Sequence, residues 1–381
     1  MPKASDNGGA KKERAPNTPP LRGRGASPAP REKGLTFHGL ATGAMRLFDP
    51  EDAHGLAILG LKAGLGPRVA SADPLLATTL AGLTLPNAVG LAAGFDKNAE
   101  VPDAMLAAGF GFVECGSVTP LPQTGNPRPR IFRLSEDHGV INRLGFNNQG
   151  LDAFAHRLGA RPRRGIVGAN IGANKDSADR TGDYVTGLTR LWGQADYFTI
   201  NISSPNTPGL RGLQTKAALE ELLGRLREAR SALGDPATPL FLKVAPDLED
   251  DEIEAITETA VAFALDGLIV GNTTLSRPDT LRSAALGEAG GLSGAPLMAL
   301  STRVLRRFHQ AATGRLALIG VGGIASGADA YAKIRAGASA VQLYSALVFH
   351  GPGLVMQIRR ELSERLKADG FCRISDAVGA S

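Results

Sequence analysis

The residues able to do chemistry are concentrated in a few short segments. AAGFDK (92–97), GANIGANKD (168–176) and NISSPNTPGLRG (201–212) carry the densest runs, joined by Lys243, by Asn272, Thr273 and Thr274, by Gly320 to Gly323, and by Tyr344 and Ser345. Asparagine recurs at Asn142, Asn147, Asn148, Asn170, Asn174, Asn201, Asn206 and Asn272. Each amide offers a donor and an acceptor, which suits a planar heterocycle with imide and amide edges. For Asn148 and Asn174, turn chemistry is the expectation instead. The glycine run at 320–323 lets backbone N–H groups approach an anion, so it reads as a phosphate site. The chain has no HExxH, no Cys/His cluster and no Ser-His-Asp order, so no metal site is expected. Its histidines, His54 included, read as structural.

A regular rhythm must position these segments. NAVGLAAG (from 87), FVECGSV (112), GIVGANIG (165), YFTINIS (197), LFLKVAP (240), GLIVGNTT (267), LALIGVGG (316) and AVQLYSAL (340) are short apolar runs, each followed by an amphipathic helical stretch. Continuous apolar runs alternating with helices indicate parallel strands buried on both faces, and eight such units predict an α/β fold, a (β/α)8 TIM barrel. An open doubly wound sheet is the runner-up. The polar segments then all follow the C-terminal ends of strands, where a barrel builds its site, and the glycines of strands seven and eight fall at its usual phosphate position. Two longer insertions, 119–147 and 274–297, follow strands at that same end.

Composition bounds the rest. Hydrophobic residues make up 43% of the 381, enough for a sizeable core, which excludes a mainly disordered or fibrous chain. Of the net charge of +5, all lies in residues 1–35, which hold eight of the 42 basic and three of the 37 acidic residues. That proline-rich stretch has almost no large apolar side chain and is expected to be a disordered basic tail. The two cysteines, Cys115 and Cys372, fit neither a disulfide framework nor a zinc site, and a reducing compartment follows. Residues 36–70 are expected to form a helical hairpin. Phe37, Leu40, Ala44, Leu47 and Phe48 share one helical face, and Asp49 caps a second helix from Pro50 to Leu65. Apolar residues cover more than one side of that helix, as an interfacial membrane anchor or the mouth of an apolar ligand site would require.

The segments LAAGFDKNAE, INRLGFNN, NIGANKD, INISSPNTPGLRGLQ, LKVAPDL, GNTTLSRP, AGGLSGAPL, IGVGGI and VQLYSALVF resemble the quinone-dependent, class 2 dihydroorotate dehydrogenases, in order and spacing over roughly residues 45–360. The resemblance implies a flavoprotein with FMN as cofactor, oxidising (S)-dihydroorotate to orotate in pyrimidine biosynthesis and passing electrons to a ubiquinone-like membrane quinone. It implies Ser204 as the catalytic base, with Thr207 and Phe146 on the proton path. It implies Lys97, Asn142, Arg143, Leu144, Gly145, Phe146, Asn201, Asn206, Asn272 and Thr273 around the substrate. For FMN it implies Ala93, Gly94, Phe95, Asp96, Lys97, Ser117, Asn170, Asn201, Lys243, Gly271, Gly294, Gly323, Tyr344 and Ser345, with Lys243 stabilising the reduced flavin anion. Gly271 departs from the threonine usual in the family, so a hydroxyl contact there would be lost. Serine at the base position, where soluble members carry cysteine, together with the N-terminal helices, places the chain in the membrane-associated class. The expectation is a monomeric, peripheral membrane enzyme on the cytoplasmic face of a bacterial membrane, with 71–381 as the barrel and no nucleic-acid partner. The competing readings are another FMN-dependent barrel oxidoreductase and a non-enzymatic scaffold with a nucleic-acid-binding tail.

Overall fold

All eight apolar runs become strands of one closed, parallel barrel, each paired with its neighbours in sequence. A computed structural model describes residues 42–69, 72–207, 209–234 and 238–380. The strands are β1 (Val89–Leu91), β2 (Phe112–Val118), β3 (Ile166–Ile171), β4 (Tyr197–Asn201), β5 (Leu240–Val244), β6 (Gly267–Val270), β7 (Ala317–Val321) and β8 (Ala340–Leu343). β8 closes on β1 through Val341↔Val89, Gln342↔Gly90 and Leu343↔Leu91. Nearly every strand residue is buried, as strands enclosed by side chains within and helices without must be.

The barrel interior is filled by large rings opposite glycines. A Cβ on Gly90 would lie 2.3 Å from the Phe112 ring, one on Gly168 2.2 Å from Tyr197, and one on Gly267 2.6 Å from Phe241. Glycine on one strand therefore makes room for the aromatic side chain of the next. Beside the rings lies a buried carboxylate that the apolar reading of strand two overlooked. Glu114 accepts from Tyr197 Oη (3.1 Å), Thr199 Oγ1 (3.0 Å), Gln342 Nε2 (2.9 Å) and Asn170 Nδ2 (2.7 Å). Four donors satisfy it where an unpaired charge would be costly.

The two insertions meet as a three-stranded antiparallel sheet of Ile131–Leu134, Gly139–Asn142 and Gly291–Gly294, with the middle segment central. Leu134, Ile141, Leu281 and Leu292 give it a core of its own. The register Asn142↔Gly291 sets one insertion against the other.

Helix α1 (Pro50–Lys62) starts as expected, with Asp49 Oδ1 accepting from the N–H groups of Glu51 and Asp52. It ends before Leu65. Gly64 adopts φ +80°, and Leu65 N–H donates to Gly60 O while Gly64 N–H donates to Leu61 O, a left-handed stop that satisfies the last carbonyls. Of the first predicted helix only residues 42–45 are seen as helix, and residues 1–41, including the whole basic tail, lie outside the described residues. α1 is tied to the first insertion by Arg130, which donates to both carboxylate oxygens of Glu51 (3.0 and 2.6 Å). Arg133 Nη1 donates to the carbonyls of Arg46 and Phe48. Leu47, Phe48, Leu56, Leu59 and Leu65 stay exposed.

Candidate active site

A cavity of about 410 Å3 runs from α1 to the C-terminal ends of the strands. Ala53, His54, Ala57 and Leu61 line it on the helix side. On the barrel side it reaches Ala93, Gly94, Phe95, Lys97, Ser117, Asn201, Ser204, Lys243, Asn272, Thr273, Gly294, Gly323, Tyr344 and Ser345, with Asn142, Leu144, Gly145, Phe146 and Asn206 from the loops. Most residues singled out in the sequence thus face one space.

Of the site residues that the resemblance implies, five do not, each for a local reason. Asp96 is turned into its own loop, where it accepts from the N–H groups of Asn98, Glu100 and Val101. Arg143 points away from its neighbour Asn142 to pair with Glu288 at 2.8 Å and to stack 4.5 Å over Phe132. Asn170 lies one layer back, accepting from Ser117 Oγ and from Asn201 Nδ2 (3.3 Å). It orients the two residues that do face the cavity. Thr207 is buried beside the serine loop, and its hydroxyl has no partner among the described residues. At Gly271 φ is +122° and a Cβ would stand 2.6 Å from Val321 O, so the backbone there is shaped for glycine and leaves no room for a threonine.

Two cations dominate the electrostatics. Neither Lys97 nor Lys243 makes a hydrogen bond or ion pair among the described residues. Burial lowers the Lys97 ammonium to about 8, with Glu51 pulling it back up and Arg130 opposing. Burial likewise lowers Lys243, with the field of Glu114 opposing. Two enclosed ammonium groups with no carboxylate in ion-pair contact among the described residues make a site for an anionic guest.

The serine segment is held by a residue its motif contained but the reading passed over. Arg211 Nε donates to Ser203 O (3.2 Å), Nη2 to Thr273 O (3.0 Å), and Nη1 to Asp247 Oδ2 (2.9 Å). One guanidinium so joins the loops after β4, β5 and β6. Ser204, 7% exposed, accepts from Asn206 N–H at 3.3 Å. The amides knit together around it: Asn206 Nδ2 donates to Asn142 Oδ1 (3.2 Å), and Asn272 Nδ2 to Ser203 Oγ (2.8 Å) and Asn201 Oδ1 (3.3 Å). Asn148 serves a turn, as expected, whereas Asn174 does not: its side chain ties the loop after β3 to the first insertion, donating to Thr119 Oγ1 and Gln123 Oε1. Asn148 Oδ1 accepts from Gly150 N–H, and Asn174 Oδ1 from Leu121 N–H.

At the ends of β7 and β8, the N–H groups of Gly322, Gly323, Tyr344 and Ser345 have no protein acceptor among the described residues. A Cβ on Gly323 (φ +84°) would come 2.4 Å from Met298 Cα, so only glycine lets the start of the preceding helix pack this close. Free amides, glycines and an adjoining helix start are the elements of a phosphate cradle.

His54 is a correction to the sequence reading, which set the histidines apart from the site. It lines the cavity, edge-on to Phe95 at 5.2 Å and 6.2 Å from Tyr344. Burial and the Lys97 charge push it down to about 3, so it stays neutral. The helical spacing Ala53, His54, Ala57, Leu61 was the signal that could have placed it. Glu114 had a signal too, a carboxylate inside an apolar strand.

The chain matches the family described as dihydroorotate dehydrogenase over residues 75–366. It is 59% identical to the dihydroorotate dehydrogenase (quinone) of Azorhizobium caulinodans, the match covering 88% of this chain and 96% of that protein. It is 58% identical to the protein of the same name from Parvibaculum lavamentivorans, over 90% of this chain and 97% of that one. Among solved structures it superposes on DHODH from Eimeria tenella in complex with ferulenol, with a TM-score of 0.84 and 42% identity, covering 87% of this chain and 95% of that one.

Proposed function

The chain belongs to the dihydroorotate dehydrogenase family, and from that premise we propose that it oxidises (S)-dihydroorotate to orotate in pyrimidine biosynthesis, with FMN as resident cofactor and a membrane quinone as final acceptor. The observation carrying this reading is that Ser204, the asparagine set, two unpaired lysines and a cradle of free amides face a single cavity. The other flavin-barrel reading and the nucleic-acid scaffold account for no such convergence.

The residues fit FMN. Gly323, Tyr344 and Ser345 would take its phosphate on backbone N–H groups, Ser117 and Asn201 would meet the ring edge, and Lys243 would offer a cation to the reduced ring. FMN, when bound, supplies the two-electron acceptor that no side chain here can provide. Lys97 would fix the substrate carboxylate, while Asn142, Asn206, Asn272 and Thr273 would hold the amide edges of the ring. Ser204 would take the proton from C5. A hydroxyl is a weak base and needs help: the Asn206 N–H would stabilise negative charge on its oxygen, and the buried Thr207 hydroxyl, which has no hydrogen-bond partner among the described residues, would take up the displaced proton. Phe146, held at φ +53° and lining the cavity, would border that path.

Residues 36–70 would serve quinone access and membrane association, with 71–381 as the flavin-binding barrel and the basic residues of 1–35 adding attraction to anionic lipid. Among the described residues no helix is long and apolar enough to cross a membrane. The exposed leucines of α1 support a helix lying on the bilayer, and the apolar face of α1 along the cavity supports a quinone path to the flavin. The reading includes a monomer at the cytoplasmic surface.

An anaerobic visible spectrum tests the chemistry. Addition of (S)-dihydroorotate should bleach the flavin band, and a quinone should restore it. Ser204→Ala should keep its flavin and slow bleaching by 10² to 10⁴-fold, on the order expected for a lost general base. Bleaching of that variant at the normal rate would remove Ser204 from the mechanism.

A further inference from the structure

Helix α2 (Met298–Ala312) and helix α3 (Gly327–Arg335) flank β7 on its outer side, and between them lies a lysine that the chemistry above leaves unused. Lys333 is fully buried. Its Nζ donates to Ser301 Oγ at 2.6 Å and to Val321 O at 3.4 Å. Among the described residues no carboxylate lies within ion-pair distance of it. Asp329, the acid whose field reaches it, is engaged by Ala325 N–H and Ser326 Oγ. Burial lowers the ammonium to about 7. The strand accommodates its stem, since a Cβ on Gly320 would crowd Lys333 Cδ at 3.3 Å and Leu305 at 2.9 Å.

The geometry around Lys333 bears on the loop in front of it. In a trans peptide the C=O and the following N–H point in opposite directions. Lys333 holds Val321 O at the rear, which turns Gly322 N–H away from the lysine, toward the β8 side of the loop. Ser301 Oγ, which accepts from Lys333, has both Leu297 O (2.8 Å) and Gly322 O (3.0 Å) within reach of its single proton, and the contact with Gly322 O turns Gly323 N–H away from Ser301. Val321, Gly322 and Gly323 all line the cavity, and these two N–H groups are among those with no protein acceptor.

We propose that Lys333, acting through Ser301, is a positioning residue for a phosphate monoester at the ends of β7 and β8, holding two peptide units with their N–H groups toward the cavity and setting a positive charge behind them. The inference rests on the reading of the cavity as an FMN site. A buried ammonium with only neutral partners is unfavourable by itself, and an anion in front of the loop supplies the missing charge.

Riboflavin, which is FMN without the phosphate, separates the possibilities. Full-length holoenzyme is incubated with rising riboflavin, passed through a desalting column, and the retained flavins are quantified. The wild type should hold FMN against a large excess of riboflavin. Lys333→Met should lower the excess needed for half-exchange by roughly tenfold, the size of one charge-assisted interaction. Ser301→Ala, a smaller change at the same link, should move it the same way by less. If both variants exchange like the wild type, or Lys333→Met loses FMN and riboflavin in equal measure, Lys333 merely packs the helices and the proposal fails. If the wild type itself shows no preference for FMN, the phosphate reading of the cavity falls first.

Discussion

Lys97 shows how the fold tunes a single side chain. Burial holds its ammonium near 8, so it is charged below that pH and neutral above it. If it binds the substrate carboxylate, orotate affinity should weaken as pH rises from 7 to 9, because the cation is lost over that interval. Titrating orotate by its perturbation of the flavin spectrum measures this. Lys97→Met should bind more weakly at pH 7 and show a flatter dependence. His54, held neutral down to about 3, should contribute nothing to that limb. An unchanged pH dependence in Lys97→Met would assign the carboxylate to another group. The same scale explains Gly271: a departure from the family pattern that reads as a lost hydroxyl is, in the fold, a close approach between β6 and β7 that excludes any side chain.

Among the elements, the short 3₁₀ turn Leu210–Gln214 carries the largest consequence, because it brings Arg211 against three loops at once. The fork of a guanidinium can bond Ser203, Thr273 and Asp247 together, and an ammonium cannot. Asp247 is further engaged by the Thr274 hydroxyl, so the loops after β5 and β6 share one carboxylate. Arg211→Lys and Asp247→Asn should each lower kcat, on the order of 10²-fold for a displacement of about 1 Å, while the substrate KM and the flavin content change little. Stopped-flow reduction of the flavin reads the effect directly. A rise in KM at constant kcat would mean that the clamp holds the substrate pocket rather than the serine.

For the whole molecule, the question is what α1 adds to a barrel that is otherwise closed. One face lines the cavity with Ala53, His54, Ala57 and Leu61, and the other leaves Leu56 and Leu59 exposed at 44% and 61%. Ion pairs at the ends hold the helix in place, so its outer face is free to meet lipid. The double variant Leu56→Glu, Leu59→Glu should fold, keep its flavin and be reduced by dihydroorotate at the normal rate. Its turnover with a long-chain quinone in phospholipid vesicles should fall several-fold, together with vesicle binding. Undiminished turnover would separate α1 from the membrane. Much of this molecule could be read along the chain. Eight apolar runs named eight strands because parallel strands buried on both faces must be continuously apolar, and once the strands are ordered, whatever follows each run stands at the same end of the barrel. Asp49 and Pro50 marked the start of α1 because capping is local. Tertiary structure decided where the loop side chains point. Asn142 faces the cavity and Arg143 leaves it because Glu288, far along the chain, claims the guanidinium, and the strand that ends at Asn142 is paired with residues from the second insertion. His54 entered the site, and Lys333 came to lie behind it, through packing between elements distant in sequence. Hydrophobic periodicity records which face of an element is buried; it holds no information about which distant partner will orient a polar side chain in a loop, and that is settled only when the chain closes on itself.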